Sequence, residues 1–405
     1  MSFEHVRLGA LADVIVSNVD KHSVEGQPPV RLCNYTDVYY EHKLDQSRQY
    51  MTATASPDQI KKFRLQVDDV IITKDSETAD DIGIPALVTE TADDFVCGYH
   101  LAILRPNPQK ADGRYLNWTL QSGDLQAQFE NIAFGVTRVG LKTGRIKTLE
   151  IPIPGGPVEQ ARIADYLDRE TATIDALIEK QRSLLTALGH RKRLVVEADL
   201  EPAHAMTVPL RRLVDATVGV VVTPSKWYAE TGVVALRGTN IRHGYLDLSD
   251  IVHFSIEGNA IHPKSRLDEG DVVIVRTGDT GRAAVIPAQL RGAQAIDVLV
   301  VRPGPELNPE FLVHLMGSRL MDQQIELSTQ GTIQGHLNVS ALKDVTVPVP
   351  SYNEQIRLVE RWDRETAKID ALIAKAERFI ELAQERRAAL ITAAVTGQIE
   401  IPTED

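Results

Sequence analysis

The chain has 405 residues, 43% hydrophobic and 25% charged, which is ordinary globular composition with room for two or three cored domains. Its formal net charge of −12 argues against a free-standing nucleic-acid binder, because such proteins present a basic face to phosphates. Cys33 and Cys97 are too few for a disulfide scaffold or a cysteine-built zinc site. Residues 1–14 carry no signal pattern, and no apolar run nears the ~18 residues of a spanning helix. A soluble, cytoplasmic protein is expected.

Residues 1–154 alternate short β-type runs, such as Val70-Ile71-Ile72, with Gly, Pro, Asn and Asp clusters, and a short helical stretch lies near 115–130. This is α+β texture, rich in loops. Residues 155–201 then read as one long helix with Ile174, Ile178, Leu185, Leu188 and Val195 at heptad spacing, interrupted by Gln181 and Lys192. Residues 202–350 return to β-type runs, Val272 to Val275 and Val298 to Val301, with helical texture near 309–326. Residues 351–405 give a second heptad helix through Ile369, Ile373, Ala376, Ile380, Ala383, Leu390 and Ala394, with Arg387 intruding.

The chain is therefore duplicated. At an offset of 195, residues 159–180 and 354–375 are identical at 14 of 22 positions. At an offset of 202, Leu65, Asp69, Val70 and Ile72 fall on Leu267, Asp271, Val272 and Ile274, and Asp13 falls on Asp215. Leu104-Arg105-Pro106 matches Val301-Arg302-Pro303, while Gly135 and Leu141 match Gly331 and Leu337. Two copies of about 200 residues imply an internal pseudo-two-fold. Each helix, of about 40 residues and ~60 Å, then finds its nearest partner in its own repeat, running antiparallel. Two helices each packed on its own domain is the alternative.

The catalytic inventory points away from an enzyme. No G-x-x-x-x-G-K-[ST] loop occurs, and 134–140 is the nearest approach to a glycine-rich cofactor turn, with the wrong spacing. Pro28-Pro29 is followed by Val30 rather than an aromatic residue. Asp175, Glu179 and Lys180 mimic a nuclease pattern, yet lie in the heptad helix, where Ala374 replaces Glu179 in the repeat. His243, His253 and His262 lack metal-ligand spacing. The clusters Arg191-Lys192-Arg193 and Arg386-Arg387 suit a solvated face or partner contact better than a DNA groove.

The layout resembles the specificity (S) subunit of type I restriction–modification systems. The likeness rests on Pro152-Ile153-Pro154 and Pro348-Val349-Pro350, on Glu159-Gln160 and Glu354-Gln355, on the runs 168–178 and 363–373, and on the tail 386–397. It implies two α/β target-recognition domains, 1–154 and 202–350, separated by a long antiparallel two-helix coiled coil made by 155–201 and 351–405. Each domain would read half of a bipartite double-stranded DNA site, and the coiled coil would set the spacer and dock two methyltransferase subunits. S-adenosylmethionine, ATP and Mg would belong to those partners and to restriction/translocase subunits, with no cofactor or metal in this chain. A duplicated protein-interaction scaffold without DNA readout is the alternative.

Three loop pairs are candidate DNA contacts. Segment 131–148 offers Thr137, Arg138, Lys142, Arg145 and Lys147 and no acid, although 1–150 holds 16 basic and 21 acidic residues. Its repeat partner, 328–343, offers Thr329, Gln330, Thr332, Gln334, His336 and Asn338, hydrogen-bonding groups suited to base edges. A polar surface hairpin would show the same composition. Lys74 corresponds to Arg276, followed by Thr277, after matched strands. Asn34 and the pair Arg237 and Asn240 form the third set, where turn chemistry is an equal reading.

Overall fold

The computed structural model describes residues 3–200, 206–329 and 336–402. The chain divides into two units, Met1–Gln181 with Arg378–Asp405, and Arg182–Glu377. No helix of the described residues is long and apolar enough to cross a membrane.

In the first unit a sheet runs in the order Ala12–Val16, Leu101–Pro106, Val70–Thr73, Pro85–Val88, Lys43–Leu44. All neighbours are antiparallel except the last pair. Residues 70–72, 85–88 and 101–104 of its central strands run apolar without alternation because both faces are covered. Successive side chains point oppositely, so Val70, Ile72, Ala102 and Leu104 join a core with Leu116, Leu120 and Phe129 from the helices Gly113–Leu120 and Gly123–Ile132. Ile71, Leu101 and Ile103 face the other way, onto Leu32, Phe63 and Phe95. A small second sheet, Met51–Thr54, Pro29–Cys33, Phe95–Cys97, closes that side.

The second unit repeats this plan. Val214–Val218, Val298–Pro303, Val272–Val275 and Ala283–Val285 form an antiparallel sheet. Val272, Ile274, Leu299 and Val301 face one core, and Val273, Val275, Val298 and Val300 the other. The repeat holds at the level of register. Leu104 pairs with Val70 as Val301 pairs with Val272, and Asp13 pairs with Arg105 as Asp215 pairs with Arg302. The parallel pair of Pro29–Cys33 with Phe95–Cys97 recurs as Val233–Leu236 with Gln294–Ala295.

The matched Asp and Arg positions prove to be ion pairs. Arg105 donates Nε and Nη2 to the buried Asp69 at 2.8 and 2.7 Å, and Arg302 Nε stands 3.7 Å from Asp271. Burial pushes both carboxyls up from their ordinary value, and backbone N–H groups and the arginines pull them back.

Two long helices, Pro157–Leu200 and Tyr352–Val395, bring the repeated motifs to the units. In the first unit Ile163, Ala164 and Leu167 pack with Ile391, Ala394 and Val395, around Tyr115 and Trp118. Further along, Asp175 accepts from Arg387 Nε at 3.0 Å. Residue numbers rise on one helix as they fall on the other, so the helices run antiparallel there. In the second unit Lys192 donates to Asp370 at 2.6 Å, and Asp199 accepts from Arg361 and, at 2.9 Å, from Trp362 Nε1, again antiparallel.

The heptad seam is the buried side of both helices. Ile174, Ile178, Leu188, Ile369 and Ala376 are buried; Leu185, Val195, Ile373, Ile380, Ala383 and Leu390 are half-buried. Val196 lies deeper than its neighbour Val195. The seam also includes the repeat-related Thr171 and Thr366, whose hydroxyls donate to the carbonyls of Leu167 and Trp362 at 2.5 and 2.8 Å.

The Glu-Gln motif fixes the start of each helix. Gln160 Oε1 accepts from Asp112 N at 2.9 Å, and Nε2 donates to the carbonyls of Lys110 and Gly155 at 3.0 and 3.1 Å. Gln355 repeats the arrangement with Asn308 N, Glu306 O and Pro350 O at 2.8, 2.8 and 2.9 Å. Both glutamines are fully buried.

Candidate nucleic-acid interface

In the first unit the three candidate loops converge. Val70–Thr73 ends at Lys74, whose carbonyl accepts from Leu141 N at 2.9 Å. Val139 and Gly140 pair with Ser76 and Asp75, which holds the basic segment against the Lys74 turn. That segment turns back on itself. Phe134 and Gly140 exchange backbone hydrogen bonds of 3.1 and 2.9 Å, leaving Val136, Thr137 and Arg138 at an exposed tip. Gly135 has φ +130, and a Cβ there would meet Arg138 O at 1.9 Å, so only glycine closes this turn.

Arg138, Lys142, Arg145 and Lys147 are all exposed. Among the described residues none of the four has a carboxylate within ion-pair distance, and Lys142 Nζ lies 4.5 Å from the Phe134 ring centroid. Lys74 is different: its side chain is largely covered and donates to Asp75 Oδ2 at 2.7 Å, which also meets His100 Nδ1 at 2.8 Å. Lys74 therefore shapes the loop more than it offers charge.

Asn34 stands at the start of the helix Tyr35–Tyr40; its N–H donates to Asp37 and its side-chain amide lies 3.3 Å from Met51 Sδ. Tyr35 belongs to the same candidate loop, whereas Tyr39 and Tyr40 are absent from the candidates that sequence alone suggests, although Tyr35 and Tyr39 at i and i+4 share one helix face. Their rings stack at 5.5 Å, and Tyr39 meets Tyr40 edge-on at 4.9 Å. Tyr39 donates to Asp81 at 2.9 Å, and this bond pushes its hydroxyl up to about 12. With Asp75, His100 and Arg138 the tyrosines line a cleft of about 510 Å³. Amphipathic rings beside a cation suit stacking and hydrogen bonding to nucleic acid.

The second unit rebuilds the central contact. Leu337 N donates to Arg276 O at 3.0 Å, the repeat of Leu141 N to Lys74 O. Thr277 is exposed, and its hydroxyl lies 2.7 Å from His336 Nδ1, so two of the candidate segments meet here as well. Arg276 is held by Asp297 at 3.2 Å. Asn338 is exposed and caps the helix Val339–Asp344 through Ala341 N at 2.8 Å. Thr329 ends the helix Arg319–Thr329; Gln330, Thr332 and Gln334 lie outside the described residues.

Arg237 and Asn240 serve their own loop. Arg237 donates to Asp250 at 2.9 Å. Asn240 is buried, with its amide on the carbonyls of Asp247 and Asp250 at 3.0 and 2.8 Å and its oxygen on Arg237 N at 2.9 Å. For Asn240 the turn reading holds, and no side-chain group remains for a base edge.

Residues 5–187 and 221–378 match the type I restriction modification DNA specificity domain. The type I restriction enzyme StySPI specificity subunit of Salmonella potsdam is 22% identical over 168 residues, 40% of this chain. That alignment spans only 36% of the relative's length. The MjaVIII specificity subunit of Methanocaldococcus jannaschii is 22% identical over 310 residues, 72% of this chain and 71% of the relative. A chain solved in work on complex assembly and conformational transition of the type I R-M system shares the fold, with TM-score 0.67 at 18% identity over 98% of both chains. With two matches covering most of its length, the chain belongs to the family of the type I restriction modification DNA specificity domain.

Proposed function

We propose that this chain is the sequence-reading subunit of a type I restriction–modification complex. Each unit reads one half of a bipartite double-stranded DNA site, and the two long helices set the spacer and dock two methyltransferase subunits. The chain itself is not catalytic. S-adenosylmethionine, ATP and Mg belong to the methyltransferase and restriction/translocase subunits, and the complex acts in the cytoplasm. The observation that carries this reading is one loop junction built twice, Leu141 on Lys74 and Leu337 on Arg276, each beyond an equivalent buried strand. Loops on a repeated rigid scaffold vary what is read without altering how it is held.

Sequencing the methylated bases of a host that carries this chain with its methyltransferase partner tests the proposal. Two short blocks with a fixed gap are expected. Only continuous motifs would overturn it.

A further inference from the structure

The two units present equivalent loops with unequal free charge. In the first unit, Arg138, Lys142, Arg145 and Lys147 stand exposed within a stretch of 18 residues, 131–148, that contains no acid. At the matching positions the second unit has Gln334, Asn338, Ala341 and Lys343. Lys343 is the single cation of the four, and Asp215 neutralises it at 3.4 Å. Asp13 stands where Asp215 would be, yet Lys147 makes no ion pair with it.

Four arginines in and beside the second unit's candidate loops are each matched by an aspartate. Arg237 pairs with Asp250 at 2.9 Å, Arg242 with Asp247 at 3.3 Å, Arg276 with Asp297 at 3.2 Å and Arg282 with Asp279 at 3.0 Å. A guanidinium that brings its own carboxylate to a phosphate gains little, because counterion release follows net neutralisation. Thr277, His336 and Asn338 offer donors and acceptors to base edges and release no counterions.

We propose that the units divide the work on DNA. The Arg138, Lys142, Arg145 and Lys147 face grips the phosphate backbone and supplies most of the salt-sensitive affinity. The second unit contributes hydrogen-bonding readout with little salt dependence. This rests on the reading of the chain as a DNA-binding subunit.

The test is fluorescence anisotropy of the full chain with a labelled random-sequence DNA duplex across a salt series. Replacing the four cations together (Arg138→Gln, Lys142→Gln, Arg145→Gln, Lys147→Gln) lowers the slope of log K against log salt by about 0.9 for each phosphate left without its cation, up to ~3.6. Thr277→Ala with His336→Ala leaves the slope in place. Asp279→Asn frees Arg282, the more exposed arginine of the same loop, and raises the slope by about 0.9. Misfolding cannot mimic that gain. An unchanged slope in the fourfold variant, or no gain from Asp279→Asn, overturns the division of work while DNA binding itself stands. No salt-dependent binding by the unaltered chain, alone or with its methyltransferase partners, overturns the DNA reading.

Discussion

Gln160 and Gln355 each join a long helix to the cap of a domain helix and to the loop before it. Both glutamine side chains are fully buried, and truncating either removes the partner of one backbone N–H and two carbonyls. Gln160→Ala and Gln355→Ala are each expected to cost about 1–3 kcal/mol, read as a lower urea midpoint. Arg105→Met is expected to be harsher, about 3 kcal/mol, because it leaves the Asp69 carboxylate buried without its partner. Adding Asp69→Asn to that variant should recover part of the loss in the same unfolding measurement. The sequence marks these residues as repeated but not what they bind. Gln160 and its partner Asp112 are 48 positions apart, and Asp69 and Arg105 are 36 apart. Spacing along the chain carries no signal of such pairings.

At the level of elements, the helices were the legible part. A heptad seam is a local rule, and the residues it selects are on the buried side of both helices. Thr171 and Thr366 escaped it because a threonine can satisfy its hydroxyl on the helix's own carbonyls. The loops were legible as segments more than as residues. Their matched strands located them, but turn chemistry and base contact draw on the same Asn, Gly and Thr, and the structure gives Asn240 to the turn. His243 illustrates what burial adds. It lies in the turn after Ile241–Arg242, hard against Gly317, among Lys192, Arg282, His314 and Asp370. Burial first, and then the neighbouring His314 and cations, lower its pKa from 6.5 to about 4. The unfolded ring binds a proton that the folded ring refuses, so stability is full above pH ~6.5 and is lost as pH falls toward 4. Solvent reaches part of the ring, so the loss stays below ~3 kcal/mol. His243→Asn should flatten that acid limb in pH-dependent thermal unfolding.

For the molecule as a whole, duplication predicts separability. Replacing residues 1–154 by the same domain of a relative should change one half of the methylated motif and leave the other intact, read by sequencing methylated bases. A protein-interaction scaffold would leave the motif untouched. The net charge of −12 then becomes a statement about partners. Bound DNA should be held weakly by the chain alone and firmly once methyltransferase subunits add their own phosphate contacts. The composition of the first unit has a consequence in time. One of its core clusters includes Ile391, Ala394, Val395 and Ile401, so that cluster closes only with residues translated about 200 positions after the rest of the unit. The second unit is one uninterrupted stretch, 182–377. During synthesis at about 5–20 residues per second, the domain translated first waits roughly 10–40 s for its last helix, while the domain translated later can finish folding. The unit made first is therefore the one left exposed longer to proteases and chaperones.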